Sequence, residues 1–214
     1  MERISDLLNR VPVIPVLTLE GAVDGVPVAR ALVAGGLSVL EVTLRTTGAM
    51  EAVRAIAAEV PDAVVGVGTV ARPSQFAEAL QAGARFAVSP GFTAGLLAAA
   101  IDAGLPYLPG VSTVSEAMAL AERGFSHLKF FPAEPCGGAA FLRALLAPLP
   151  NLRFCPTGGI DAARAPEYLA LTNVPCVGGS WPAPAAAVCA GDWDCIESLA
   201  RAAAALRPAS KTPG

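Results

Sequence analysis

The chain has 214 residues, of which 54% are hydrophobic and 15% charged, and its formal net charge is −3. This length fits one domain with one sizeable core, and the composition excludes a disordered chain. The sequence has no basic tract of the kind that binds nucleic acid, and no apolar run near the roughly 18 residues of a membrane helix. We therefore expect neither a nucleic-acid nor a membrane partner.

The N-terminal stretch "MERISDLLNR" carries charges and lacks the apolar core of a signal peptide. Its residues Ile4, Leu7 and Leu8 predict a short amphipathic helix instead. The five cysteines have no zinc-finger spacing and there is one histidine, so we expect reduced thiols, no metal and a cytoplasmic location. We expect residues 1–214 to form one domain, with residues 208–214 as a flexible tail.

Apolar, strand-like runs recur about every 20 to 25 residues, which is the spacing of βα units. The eight predicted strands are residues 11–19, 37–45, 63–70, 85–91, 105–111, 125–131, 152–159 and 174–180. Alanine-rich helices are predicted between and after them, at residues 21–34, 48–59, 73–82, 93–102, 114–124, 138–147, 161–170, 183–189 and 192–206. This pattern predicts an α/β fold, a single (β/α)8 TIM barrel with a short N-terminal helix. An open doubly wound sheet is less favoured because "GVGTV" does not complete a GxGxxG fingerprint.

The ends of the predicted helix at 114–124 can be read from its flanking residues. Ser112, or Ser115 slightly later, is the predicted N-cap, since a hydroxyl there accepts a bond from an exposed amide. Gly124 is the predicted end of the helix, because glycine readily leaves the helical conformation.

Polar residues stand in unusual places in the second predicted strand. Glu41, Thr43 and Arg45 alternate with apolar neighbours, and period two places the three on one face. The apolar face would pack under the helices, so Glu41 and Arg45 would face the barrel interior and its mouth. An internal ion pair between these two residues is the structural alternative.

Lys129 is one of two lysines in the chain and lies in the sixth predicted strand, within "HLKFFPAE". Period two places it on the same face as Phe131, directed inwards. A buried ammonium is costly unless it is paired or loses its proton. The structural alternative is a salt bridge with Glu41; the functional one is a neutral amine that attacks a ketone to form a Schiff base, which arginine cannot do.

The last two predicted strands end in "PTGGI" (156–160) and "VGGSW" (177–181). Paired glycines allow close backbone approach and leave amides free for an anion. Barrels often bind phosphate after strands seven and eight. These segments therefore predict a phosphate site, while Thr69, Pro90 and the Pro109–Gly110 pair complete the rim.

In these residues and the motifs around them, the sequence resembles the 2-keto-3-deoxy-6-phosphogluconate (KDPG) and 4-hydroxy-2-oxoglutarate (KHG) aldolase family. The matching motifs occur in family order from about residue 10 to 195: "VPVIPVL", "ALVAGGLSVLEVTLRT", "VGVGTV", "AVSPG", "PGVSTVSE", "KFFPAE", "RFCPTGGI" and "GGSW". The resemblance implies a (β/α)8 barrel, a homotrimer, and a Schiff-base aldolase that needs no metal or other cofactor. Its expected reaction cleaves 2-dehydro-3-deoxy-6-phosphogluconate to pyruvate and glyceraldehyde 3-phosphate.

The resemblance also implies a role for each motif residue. Lys129 is the expected Schiff-base lysine and Glu41 the general acid/base. The other expected assignments are Arg45 and Thr69 on the pyruvate carboxylate, Pro90 and Phe131 along the pyruvyl pocket, and Thr157, Gly158, Gly159, Gly179 and Ser180 at the phosphate.

Several alternatives stay open from the sequence. Within the aldolases, the substrate could be 4-hydroxy-2-oxoglutarate or 2-dehydro-3-deoxy-6-phosphogalactonate. A phosphosugar epimerase or isomerase would share the glycine-rich pocket without needing an imine lysine, and a non-catalytic phosphosugar-binding barrel would release no product.

Overall fold

The computed structural model describes residues 3–206. The predicted flexible tail, residues 208–214, lies outside this part. The strands are β1 Val13–Leu17, β2 Val39–Thr43, β3 Val64–Gly68, β4 Ala87–Val88, β5 Tyr107–Leu108, β6 Gly110–Val111, β7 His127–Phe130, β8 Arg153–Pro156 and β9 Val177–Gly179. The helices are α1 Ile4–Leu8, α2 Ala22–Ala34, α3 Ala49–Glu59, α4 Ser74–Gln81, α5 Ala94–Ala103, α6 Val114–Ala121, α7 Gly138–Ala144, α8 Ala165–Leu169, α9 Ala185–Ala190 and α10 Trp193–Ala204.

Every strand pair in the described part of the chain is parallel. Six strands form one sheet in the order β5-β4-β3-β2-β1-β9, and three form a second in the order β6-β7-β8. An isolated parallel bridge between Thr157 and Gly178 joins the segments at β8 and β9. The result is an α/β fold in which parallel strands curl into a half-barrel, with a helix between successive strands except β5 and β6.

One predicted strand is divided in the structure. Residues 105–111 were predicted as a single strand, whereas β5 and β6 are separated by Pro109. Proline has no amide hydrogen and interrupts a hydrogen-bonded ladder. The Lys129 amide still donates to the Pro109 carbonyl at 2.9 Å, so the chain stays beside β7 through the interruption.

The helices bury one face on the sheet, as their apolar periodicity predicts. Leu32 of α2 and Ile56 of α3 are fully buried, and so are Leu40 and Val42 of β2. The α2 and α3 helices approach closely because Gly25 has no side chain; a Cβ there would lie 3.1 Å from the Cβ of Ala52. This packing holds β2 rigidly and positions its polar face.

The predicted N-terminal helix is present as α1. Leu7 and Leu8 are each only 1% exposed, so this short helix is anchored by burial. Ile4 lines a groove together with Leu105 and Phe125, which precede β5 and β7. The α1 helix therefore covers the N-terminal ends of the strands. Among residues 3–206, no helix is long and apolar enough to cross a membrane.

The N-cap predicted for α6 was wrong. Thr113, rather than Ser112 or Ser115, is the N-cap, and its hydroxyl accepts a hydrogen bond from the Glu116 amide at 3.3 Å. The Glu116 carboxylate in turn accepts from the Thr113 amide at 2.9 Å. This reciprocal pair is a capping box, which satisfies more exposed amides than a serine alone.

Candidate active site

The centre of the site is a buried pair of opposite charges. Lys129 of β7 and Glu41 of β2 come from strands in the two different sheets, and Nζ donates to Oε1 at 3.1 Å. Their side chains are only 6% and 5% exposed. The interior direction predicted for both by period two is correct.

Glycine at position 68 makes room for this pair. A Cβ on Gly68 would lie 2.1 Å from Glu41 Oε1, so any side chain there would displace the carboxylate. Gly68 ends β3, next to β2. A buried charge is tolerated only when paired, so the Glu41 carboxylate and the Lys129 ammonium depend on one another. Of the two ion pairs predicted as structural alternatives for Glu41, the one with Lys129 is therefore present, in a position that also suits chemistry.

The predicted carboxylate-binding residues lie at the same end of the strands. Thr69 follows β3 directly and is half-buried, with φ of +58°. It is the one non-glycine residue between 3 and 206 with a left-handed backbone, a conformation that commonly marks functional positions. Arg45 lies in the turn after β2 and is exposed, so it belongs to the mouth rather than the interior.

The predicted pyruvyl-pocket residues flank Lys129. Phe131 lies two residues beyond it, and the Lys129 Nζ is 5.4 Å from the centre of the Phe131 ring. Gly110 is the parallel partner of Lys129 and packs on the backbone of Pro90, since a Cβ on Gly110 would lie 2.3 Å from the Pro90 carbonyl. Pro90 itself is exposed at the rim.

The two glycine segments predicted to bind phosphate come together in the structure. The bridge between Thr157 and Gly178 places "TGG" beside "GGS". Gly158 and Gly159 have φ values of +106° and +80°, which a residue with a side chain rarely adopts. Within residues 3–206, the Gly159 and Ser180 amides donate no backbone hydrogen bond.

Two further features mark this part of the site. The Thr157 hydroxyl is buried and has no hydrogen-bond partner in the described part of the chain. Ser180 and Trp181, which follow β9, line a cavity of about 420 Å³ that also reaches Thr18 after β1. A buried hydroxyl without a partner, at the bridge between the two glycine segments, is suited to a polar ligand.

The sequence analysis missed two buried tyrosines near the site. The Tyr107 hydroxyl is bonded to Ser89, the residue before Pro90, and burial raises the pKa of Tyr107 to about 12. The Tyr168 hydroxyl donates to Glu134, the last residue of the "KFFPAE" motif that begins with Lys129. Both contacts join distant parts of the chain, so no local pattern indicates them. Among residues 3–206, no three His, Cys, Asp or Glu side chains are grouped so as to hold a metal ion.

Comparison with known proteins agrees with these motifs. The family model described as KDPG and KHG aldolase matches residues 4–199. The KHG/KDPG aldolase of Escherichia coli (strain K12) is 54% identical over 197 residues, 92% of each chain. The 2-dehydro-3-deoxy-phosphogluconate aldolase of Pseudoalteromonas atlantica is 51% identical over 200 residues, 94% of this chain and 93% of the relative.

A solved structure of the same kind has a closely similar backbone. The KDPG aldolase of Legionella pneumophila, with pyruvate captured at low pH as a covalent carbinolamine intermediate, superposes with a TM-score of 0.92. It is 44% identical and the alignment covers 95% of this chain and 98% of that one. The resemblance predicted from the motifs is confirmed, and this chain belongs to the KDPG and KHG aldolase family.

Proposed function

We propose that this aldolase cleaves 2-dehydro-3-deoxy-6-phosphogluconate to pyruvate and glyceraldehyde 3-phosphate, with Lys129 as the Schiff-base nucleophile and Glu41 as the general acid/base. The observation that carries the proposal is the buried contact of 3.1 Å between Lys129 Nζ and Glu41 Oε1. A carboxylate in contact with an ammonium can accept its proton, and the neutral amine that remains is nucleophilic.

The reaction begins at the C2 ketone of the substrate. Glu41 accepts a proton from the Lys129 ammonium, and the neutral amine attacks C2 to give a carbinolamine. Glu41 returns this proton to the carbinolamine hydroxyl, which leaves as water, and a protonated imine forms between Nζ and C2. This imine withdraws electrons from the C3–C4 bond, so the bond can break without a free carbanion.

Cleavage needs a base at the C4 hydroxyl. Glu41, directly or through a water, removes that proton, the C3–C4 bonding electrons move towards the imine, and glyceraldehyde 3-phosphate leaves. The remaining enamine is protonated at C3, and water hydrolyses the new imine to release pyruvate and the free Lys129 amine. Because Glu41 and Lys129 are in contact, one carboxyl group can serve each of these proton transfers.

The other predicted residues are assigned to binding. Arg45 and Thr69 hold the pyruvate carboxylate, and Pro90 and Phe131 line the pocket around the methyl carbon. The glycine segments bind the phosphate at the far end of the substrate: Thr157, Gly158, Gly159, Gly179 and Ser180. These residues lie at or just after the C-terminal ends of β2, β3, β4, β7, β8 and β9, which supports the assignment, since active sites of parallel α/β barrels lie at that face.

The larger architecture belongs to the same proposal. We infer that the two sheets close into one eight-stranded barrel and that residues 1–214 form one domain. The single residue between β5 and β6, and the bridge between Thr157 and Gly178, support closure. A cytoplasmic homotrimer is also proposed; exposed apolar side chains such as Ile101, 70% exposed, support association between chains. A solution mass of three chains, measured by light scattering, tests the assembly.

Cleavage of 4-hydroxy-2-oxoglutarate is a second candidate activity. Relatives whose names include both aldolases favour it, since that keto acid presents the same C1–C4 unit to Lys129 and Glu41. The third aldol substrate, 2-dehydro-3-deoxy-6-phosphogalactonate, differs from the first in C4 configuration.

A coupled assay of pyruvate release from all three keto acids, side by side, tests the proposal. We expect the phosphorylated gluconate derivative to give the highest kcat/KM, because relatives such as that of Pseudoalteromonas atlantica are named for it and the proposed phosphate subsite would bind its phosphate. Addition of EDTA is expected to leave the rate unchanged. Isomerisation without pyruvate release would instead support an epimerase or isomerase, and ligand binding without turnover would support a non-catalytic barrel.

A further inference from the structure

A polar cluster packs against the Gly158–Gly159 turn and has no part in the mechanism above. The Tyr168 hydroxyl, on α8, donates a hydrogen bond to Glu134 Oε1. The Arg164 Nε lies 3.4 Å from the other carboxylate oxygen of Glu134. Glu134 belongs to the segment after β7, five residues beyond Lys129. The cluster thus connects the lysine-bearing strand to the turn after β8.

Glu134 touches the turn through its backbone and its side chain. Its amide donates to the Gly158 carbonyl at 3.1 Å, which extends the pairing of β7 and β8 past the strand ends. A Cβ on Gly159 would lie 2.7 Å from the Glu134 Cγ. The Glu134 side chain therefore occupies the space beside Gly159 and limits how that residue can move.

The two contacts of the Glu134 carboxylate are unequal. The Arg164 and Glu134 side chains are 53% and 35% exposed, and such surface ion pairs contribute little. Tyr168 is 1% exposed, so its bond to a charged oxygen is shielded from water and stronger. Burial, followed by the bond to Glu134, raises the pKa of Tyr168, so the hydroxyl keeps its proton and remains a donor.

A contact between Arg164 and Asp161 holds the C-terminal side of the turn. The Arg164 guanidinium also bonds Asp161 Oδ2 at 2.8 Å, and Asp161 Oδ1 accepts from the Arg164 amide at 2.9 Å. The turn therefore lies between two anchored carboxylates. A loose carboxylate at Glu134 would repel a phosphate, whereas one bound to Tyr168 and Arg164 is held in place with part of its charge offset.

We propose that Glu134, fixed by Tyr168, is a positioning residue that holds the Gly158–Gly159 turn in its phosphate-binding conformation and so sets the preference for phosphorylated over unphosphorylated keto acids. The inference rests on the proposed phosphate subsite and assigns its preorganisation to a side chain that does not itself touch the phosphate. Its effect is confined to substrates that carry a phosphate.

The test compares Tyr168→Phe with Tyr107→Phe, since each removes one hydroxyl from a buried tyrosine. KM and kcat are measured for 2-dehydro-3-deoxy-6-phosphogluconate and for 4-hydroxy-2-oxoglutarate, which has no phosphate. For Tyr168→Phe we expect KM of the phosphorylated substrate to rise about three- to tenfold with little change in kcat, because the variant loses one hydrogen bond. The kcat/KM for 4-hydroxy-2-oxoglutarate stays unchanged, and Tyr107→Phe leaves the ratio between the substrates unaltered.

Glu134 variants give a second comparison. Glu134→Gln keeps an acceptor for Tyr168 and the packing on Gly159, so its substrate ratio should stay within about threefold of wild type. Glu134→Ala removes both and should raise the KM of the phosphorylated substrate about tenfold or more. Equal losses on both substrates, or an unchanged ratio in Glu134→Ala and Tyr168→Phe, would overturn the proposal.

Inorganic phosphate separates this inference from the proposed function. Its affinity, measured by titration calorimetry, requires no turnover. Should the wild type fail to cleave the phosphorylated substrate, the proposed function is wrong, yet weaker phosphate binding by Tyr168→Phe than by Tyr107→Phe still supports the role of Glu134. Equal phosphate affinities in the two variants would contradict it.

Discussion

The two ends of the strands are built differently. At the N-terminal ends, α1 covers the sheet with Leu7 and Leu8, both almost fully buried. At the C-terminal ends, the chain buries a lysine with a glutamate and holds Thr69 at φ of +58°. Buried charge and backbone strain cost stability, while buried leucine supplies it. The fold therefore gains stability at the N-terminal ends of the strands, the closed end, and places its costly features at their C-terminal ends, the open end.

The largest effect is expected from removal of the Lys129 amine at the open end. We expect Lys129→Ala to abolish pyruvate release, because no other described side chain can form the imine at that point. The coupled assay measures the loss. Lys211→Ala, at the only other lysine, serves as the control and should keep wild-type turnover. Substantial activity in Lys129→Ala would show that the buried pair has a structural role alone.

Replacing the carboxylate gives the next largest effect. Glu41→Gln keeps the size of the side chain but cannot accept a proton, so we expect kcat to fall about 10²- to 10⁴-fold, the usual contribution of a general acid/base. Steady-state kinetics measures this change. Circular dichroism provides the folding control, and a kcat within a factor of two of wild type would remove Glu41 from the mechanism.

Substitution of Thr69 tests whether the strained backbone at the open end serves substrate binding. Glycine adopts a positive φ without strain, so Thr69→Gly should stabilise the fold by up to about 1 kcal/mol, less the entropy glycine loses on folding. It also removes a hydroxyl proposed to hold the carboxylate, so KM should rise about tenfold. Denaturant unfolding and kinetics measure the two effects. A rise in stability with unchanged KM would show that Thr69 is not a binding residue.

Substitutions at the closed end should lower stability and leave kcat unchanged. Leu8→Ala removes a side chain that is 1% exposed and should lower the free energy of unfolding by about 2–5 kcal/mol. Thermal unfolding measures this loss. The kcat per folded molecule should not change, because the lysine pair is at the other end of the strands. A fall in kcat as large as that of Glu41→Gln would show that the two ends are coupled.

The smallest expected effect is a pH dependence of stability that arises from His127 at the closed end. Burial lowers the pKa of His127 at the start of β7 below its usual 6.5, and the charge of Arg153 lowers it further, while Asp6 acts in the opposite direction. The unfolded chain therefore binds the proton more readily, and stability falls as pH drops through about 6.5 towards the lowered value. His127→Gln should flatten this part of the melting-temperature profile. An identical profile in the variant and the wild type would contradict the assignment.

Much of this difference between the ends was open to prediction from the sequence. Period two placed Glu41 and Lys129 inside, and the βα spacing brought their strands into one α/β fold. The predicted helices agree with α2–α10 to within a few residues, except that α6, α7 and α8 are shorter. These features depend on local periodicity, which a sequence displays directly.

Other features were missed for identifiable reasons. The capping box of α6 is visible in the sequence as Thr113 and Glu116, but the flanking Ser112 and Ser115 are equally common N-cap residues. The contact between Tyr168 and Glu134 spans 34 residues and has no local signal. The positive φ of Thr69 depends on how β3 ends against β2, which propensity does not indicate. The mouth is therefore harder to predict in detail than the strands that support it.

The most direct test of the account is covalent capture of pyruvate. Wild-type protein is incubated with pyruvate and sodium borohydride, then digested and analysed by mass spectrometry. The account predicts a reduced pyruvate adduct on the peptide that contains Lys129, and none on the peptide that contains Lys211. Absence of the adduct from Lys129, under conditions where the protein releases pyruvate from its substrate, would contradict the Schiff-base mechanism.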